Sequence, residues 1–229
     1  MKRRTLDIIL SIGGLGLAGL LVIVAVVLTT EGNFSKNYVK DQLSEQKITF
    51  TTLDKLAPDD KAYTEARTGC VIKYAGQPLT TGKQAECYAN EYIGGHLKKQ
   101  PAGTSGLTYA EIGTAQTDLR AKIAAGKASG DPGVAALEKQ LADYTTARET
   151  VFKGEMLRGA LLSSYGFSVL GDKATLAAEV AFIAAAVLAL LSVAGFVHAF
   201  VTPHSKAFAA VERTEQPETE RLAGRREEA

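Results

Sequence analysis

The run from Ala177 to Val201, AAEVAFIAAAVLALLSVAGFVHAFV, is almost wholly apolar. As a helix rising 1.5 Å per residue, it is long enough to cross a hydrocarbon core of about 30 Å. A second such run, Ile8 to Leu28, follows Lys2, Arg3 and Arg4. A secretory signal peptide shares that basic start. Its apolar core, however, is roughly 7–15 residues long and ends at a small-residue cleavage site. Here the core is longer and is followed by Leu28-Thr29-Thr30-Glu31, so it reads as an uncleaved anchor. The expected organisation is a short N-terminus (residues 1–7), a first transmembrane helix (8–29), a polar domain (30–176), a second transmembrane helix (177–201) and a charged tail (202–229). The mean hydropathy of +0.01 hides this, because the apolar residues are concentrated in the two runs.

Orientation follows from the flanking charge. Lys2, Arg3 and Arg4 precede the first span, and Lys206 and Arg213 follow the second. Basic residues near a span end stay cytoplasmic. Both termini are therefore expected on the cytoplasmic side of the inner membrane, with residues 30–176 extracytoplasmic. A net charge of +1 offers no basic face for a nucleic-acid partner. Membrane lipid and other integral subunits are the expected partners.

Both spans carry small residues at helical spacing. Gly14 and Ala18 make a small-xxx-small pair, and Ala177, Ala181, Ala185 and Ala189 recur every four residues. Such faces let a second helix approach closely. Both sets are helix-packing candidates, the alanine ladder as a docking surface for another subunit.

The fold class expected is mostly α: two transmembrane helices enclosing a small extracytoplasmic domain of about four helices. The first helix should continue outward, interrupted near Gly32. The alternation in Lys47–Leu53 suits a short strand, and a minor hairpin could pair Ile48–Phe50 with Val71–Tyr74. Thr108 and Glu111 have capping-box spacing, predicting a helix to about Ala125 and then a loop over residues 126–130. Asp131-Pro132 reads as the start of a helix running to about Leu162. Residues 156–171 read as an elbow at the outer membrane surface, with Gly166 and Gly171 permitting a bend.

Cys70 and Cys87 are the chain's two cysteines. In an exported domain they are expected to form a disulfide. A redox dithiol would favour C-x-x-C, and no Cys/His cluster supports a metal. Tyr88, Tyr92 and His96 fall on one helical face at i, i+4, i+8 and form a possible ligand or partner face. His96 is the one histidine of the middle domain, and no nucleophile-elbow motif accompanies it. Gly126-Lys127 with Ser129 lacks the upstream glycine of a phosphate loop. Neither an enzyme activity nor a cofactor is expected.

Four stretches carry a resemblance: Asp41–Phe50, Tyr88–Leu97 (YANEYIGGHL), Gly106–Glu111 (GLTYAE) and Arg158–Phe167. They resemble small two-pass membrane proteins of actinobacteria that have no assigned enzyme activity. In size and layout the chain is also similar to the Luc-type accessory proteins of the Mce lipid-import transporter, an ABC transporter. That resemblance implies an accessory role in a mycobacterial-type envelope and supplies no functional residues. The alternative is a stand-alone membrane-anchored module that binds a lipid or small molecule through the Tyr88/Tyr92/His96 face or the elbow.

Overall fold

The computed structural model describes residues 3–99 and 103–201. The basic residues Lys2, Lys206 and Arg213, and the charged tail, lie outside them. The described residues are mostly helical and contain no strand. The elements are α1 (Arg3–Glu45), α2 (Pro58–Glu65), α3 (Cys70–Lys73), α4 (Gly82–Cys87), α5 (Gly94–Leu97), α6 (Tyr109–Ser129) and α7 (Val134–Val201), with a π-helical segment, Tyr88–Ile93, between α4 and α5. The chain divides into two compact units. One contains residues 1–26 and 179–229, the other residues 27–178.

In the first unit α1 and α7 pack antiparallel. Ser11, Ala18 and Ala25 are buried on α1, and Ala185, Ser192 and Ala199 on α7. Each set recurs every seven residues, the spacing of a left-handed helix pair. Every buried residue is small, which lets the two backbones come close. A Cβ on Gly14 would stand 2.2 Å from Ser192 Oγ, and one on Gly195 would stand 2.4 Å from Ser11 Oγ. The Ser192 hydroxyl donates to Leu188 O at 2.8 Å, which satisfies it within its own helix. Near the same end His198 Nδ1 meets Asp7 Oδ2 at 2.9 Å, and the Arg4 guanidinium lies 5.5 Å from the Phe200 ring centre.

The bulky residues point the other way. Leu10, Ile12, Leu20, Ile23, Ile183, Leu190, Leu191 and Phe200 are all more than half exposed. Both helices are long and apolar enough to cross a membrane, and their most apolar windows are only 17% and 11% buried. A core helix of a soluble protein would be mostly buried in such a window.

The second unit contains the rest. Here α1 continues without a break to Glu45, so the expected interruption near Gly32 is absent. Gly32 serves close packing instead: a Cβ there would lie 2.9 Å from Gly171 O and 2.7 Å from Thr175 Oγ1. Gly171 has the reciprocal role, its own Cβ position being 3.0 Å from Gly32 O. The elbow at residues 156–171 is likewise replaced by continuous helix, and α7 runs unbroken through Gly166 and Gly171. Ser35 Oγ donates to Phe167 O at 2.7 Å, and Lys36 pairs with Asp172 at 3.1 Å, tying the two long helices together in this unit.

α1 stops where Lys47 turns into the left-handed region at φ 52°. Thr49 then forms an isolated antiparallel bridge with Pro78, flanked by Phe50 N–H to Gln77 O at 3.0 Å and Leu79 N–H to Ile48 O at 2.8 Å. The expected hairpin with Val71–Tyr74 is thus corrected. Residues 48–50 do find an extended partner, but it is 76–79, while Cys70–Lys73 is a helical turn. α6 runs past Ala125 to Ser129 and is closed by Gly130 at φ 69°. At its start Thr108 and Glu111 make the full capping box. The helix after it begins at Val134 rather than Asp131, whose carboxylate accepts from Gly133 N–H at 2.7 Å. A core of Val39, Leu43, Phe50, Leu56, Val71, Leu79, Ile93 and Leu161 joins α1, α7 and the short helices.

Candidate functional site

The Cys70–Cys87 disulfide joins α3 to α4, with Cα atoms 5.9 Å apart. One turn further on, the π-helical segment carries Glu91, buried to 6% exposure. No cation meets it. Its charge is held by three donors instead: the Thr64 hydroxyl, Thr68 N–H at 3.1 Å and the Thr68 hydroxyl at 2.5 Å. Thr64 Oγ1 also accepts from Val71 N–H at 3.4 Å. The sulfurs of Cys70 and Cys87 and a carboxylate oxygen of Glu91 lie within 4.8 Å of one another, the spacing of a metal-ligand set. The sulfurs, however, are spent in the disulfide and both carboxylate oxygens are engaged, so this cluster is a structural clamp between α2, α3 and the π-helical segment.

The structure brings Tyr88, Tyr92 and His96 together. Tyr88 and Tyr92 stack with ring centres 4.6 Å apart, and Tyr92 and His96 are also 4.6 Å apart. Phe50 meets Tyr88 edge-on at 5.3 Å and Tyr74 at 5.5 Å, anchoring this ladder in the core. Burial, and next the neighbouring Tyr92, pushes the Tyr88 hydroxyl up to about 12. His96 Nδ1 donates to Tyr92 O at 2.7 Å, and its Nε2 lies 3.7 Å from Asp60. Asp60 in turn accepts from Lys99 at 2.6 Å. The ladder is a half-buried packing element with one exposed end.

The helix-packing candidates are divided. Ala18 and Ala185 are buried, and Gly14 faces Ser192 and Leu188. Ala181 and Ala189 are half-buried, and Ala177 is exposed. The buried α7 positions therefore follow a seven-residue repeat through Ala185, not the four-residue alanine ladder.

The open cleft of the second unit lies on residues that the sequence did not single out. It is about 710 Å³, with the disulfide in its wall. Arg67, Lys73, Lys83, Lys98 and Arg158 line it, against the carboxylates of Glu86 and Glu91. Arg158 is spent: its guanidinium donates to Glu155 at 2.7 Å, to Ala89 O at 3.0 Å and to Asn90 Oδ1 at 3.4 Å. Lys83 donates to Tyr165 and to Glu86, each at 3.2 Å, and first the bond to Tyr165, then that to Glu86, raises its ammonium above the usual lysine value. Arg67 and Lys98 both lie near the Tyr63 ring, 4.5 and 5.7 Å from its centre, and Lys73 lies 5.4 Å from that of Tyr74. Tyr63 reaches its place because residue 95 is glycine; a Cβ there would stand 3.0 Å from the ring. No periodic signal marks these cations, because they come from the turns after α2 and α5, from α3 and α4, and from the long α7.

The chain matches no protein-family model, no curated protein and no solved structure.

Proposed function

We propose that this chain is a non-catalytic accessory subunit of a larger cell-envelope membrane complex. In this reading α1 and α7 cross the cytoplasmic membrane, both termini face the cytoplasm, and residues 30–176 form the extracytoplasmic domain. The observation that carries it is the inverted polarity of the first unit, with small residues inside and bulky apolar residues outside. Lipid tails and partner helices accept such a surface, whereas water does not. The second unit adds support, since its disulfide suits an oxidising compartment. Its chemistry-bearing groups serve packing: His96 is held by Tyr92 O, and Glu91 by the two threonines. The resemblance to two-pass actinobacterial proteins directs the partner toward an Mce-type lipid or fatty-acid importer.

The test is purification from native membranes after mild crosslinking, followed by mass spectrometry. Co-recovery of integral transporter subunits is the expected result. Recovery of the chain alone at monomer mass refutes the proposal. A second reading, a stand-alone membrane-anchored binding module, is favoured by the cleft of about 710 Å³.

A further inference from the structure

Beside the cationic cleft lies a second cleft of about 540 Å³, walled by Leu97, Leu107, Ala110 and Val151. Both are within the usual range for small-molecule sites, roughly 300–1,000 Å³. Gly94, Lys98 and Arg158 line both, so the two are neighbours across a shared wall. One side of that wall is rich in cations, and the other is mostly carbon.

From this juxtaposition we infer that the second unit binds an anionic amphiphile, its oxyanion head in the cationic cleft and its apolar part in the adjoining one. Three cations are suited to the head. Among the described residues Arg67, Lys73 and Lys98 have aromatic partners but no carboxylate within ion-pair distance. Arg67 and Lys98 are drawn to the same Tyr63 ring, which gathers like charge that an oxyanion relieves. A guanidinium adds fork geometry that matches carboxylate or phosphate. Arg158, saturated by Glu155, Ala89 and Asn90, fixes the wall between head and tail. The head chemistry is shared by a free fatty acid and an anionic phospholipid. The inference does not depend on assembly with a transporter.

The experiment uses the full chain in phosphatidylcholine nanodiscs, with empty discs subtracted. Radiolabelled oleate supplies head and tail, oleyl alcohol the tail alone, and inorganic phosphate the head alone. Oleate is expected to bind at least roughly tenfold more tightly than either partial probe. Arg67→Gln with Lys98→Gln should weaken oleate roughly tenfold and leave oleyl alcohol unchanged, since only rim charge is lost. Ala110→Glu, at an exposed helix position in the apolar cleft, should weaken oleate without changing phosphate. The near-ultraviolet tyrosine signal of each variant reports that the fold is intact. Doping the discs with phosphatidylglycerol separates the two sources: competition with oleate identifies a membrane phospholipid, and no competition a free fatty acid. Equal affinity for oleate and oleyl alcohol overturns the inference. So does phosphate binding as tightly as oleate, or oleate binding unchanged in the double variant.

Discussion

The clamp around Glu91 makes a quantitative prediction. Glu91→Gln keeps the side-chain shape and removes the charge. The amide has one acceptor oxygen where the carboxylate had two, and three donors point at the carboxylate now. If the amide oxygen keeps Thr68, its NH₂ group faces the Thr64 hydroxyl, which is fully buried and already accepts from Val71 N–H. The Thr64 proton then has no acceptor. Hydrogen bonds to charged groups contribute about 1.5–3 kcal/mol against about 1 for neutral ones, and a stranded buried hydroxyl costs about 1–3 more. The net loss is about 1.5–5 kcal/mol. For a unit of residues 27–178 this lowers the melting midpoint by roughly 3–20 °C. The assay is thermal melting of the full chain in non-ionic detergent, followed by tyrosine circular dichroism, to which the Phe50–Tyr88–Tyr92 ladder contributes. Glu65→Gln is the control, since Glu65 is exposed one helix away and loses the same charge. Equal midpoints for the two variants would refute the clamp.

The disulfide also fastens α3, to α4 directly before the π-helical segment, and its removal is expected to cost about 3 kcal/mol in the chain-entropy model. Once either fastening is gone, α3 can open locally, and the other then holds less. Combining Glu91→Gln with Cys70→Ser and Cys87→Ser should therefore cost less than the sum of the separate losses, by more than about 0.5 kcal/mol. Strict additivity would mean that the two clamps act on different openings.

In the first unit a Cβ on Gly195 would stand 3.7 Å from that of Ser11, within the range for a disulfide. Ser11→Cys with Gly195→Cys should crosslink in membranes treated with a mild oxidant, whereas Gly13→Cys with Gly195→Cys should not. Failure of the first pair contradicts the helix register. Ultraviolet titration should show one tyrosine ionising at about pH 12, absent in Tyr88→Phe. Its folded value lies above the ordinary 10, so the fold binds the proton more tightly and loses stability as pH rises from 10 toward 12. Hydrogen bonds from the Thr108 backbone and hydroxyl lower the Glu111 carboxyl below the usual 4.5. The α6 cap is thus fully present above that value and is lost as pH falls through the lowered one. Amide exchange at Glu111 should accelerate there, and Glu111→Gln should remove that pH dependence.

The sequence made some of this legible because the physics is local. Apolar length marks α1 and α7, and Thr108 with Glu111 marks the start of α6. It did not show that Gly32 and Gly171 lie inside packed helices, because a glycine that breaks a helix and one that admits a neighbour are the same letter. Only the facing backbone, about 3 Å from each added Cβ, separates the two cases. The cationic cleft was hidden for a related reason. Arg67, Lys73 and Lys98 lie on different short segments, and the cystine and the π-helical segment bring them to one wall.

The alanines of the second span are the most instructive. Read along the chain, Ala177, Ala181, Ala185 and Ala189 form a four-residue ladder that could meet another subunit. Two packed helices instead share a seven-residue repeat, since 3.6 residues per turn drifts off any strict step of four. Gly171 and Ala178 occupy that repeat in one unit, and Ala185, Ser192 and Ala199 in the other. In the first unit the small positions are answered by the chain's own Ser11, Ala18 and Ala25. A leucine at Ala185 would therefore strike α1 before it reached any partner. The surface left exposed is the bulky one, through Ile183, Leu190 and Leu191, and anything that met it, lipid or helix, would do so through shape and van der Waals contact rather than close backbone approach.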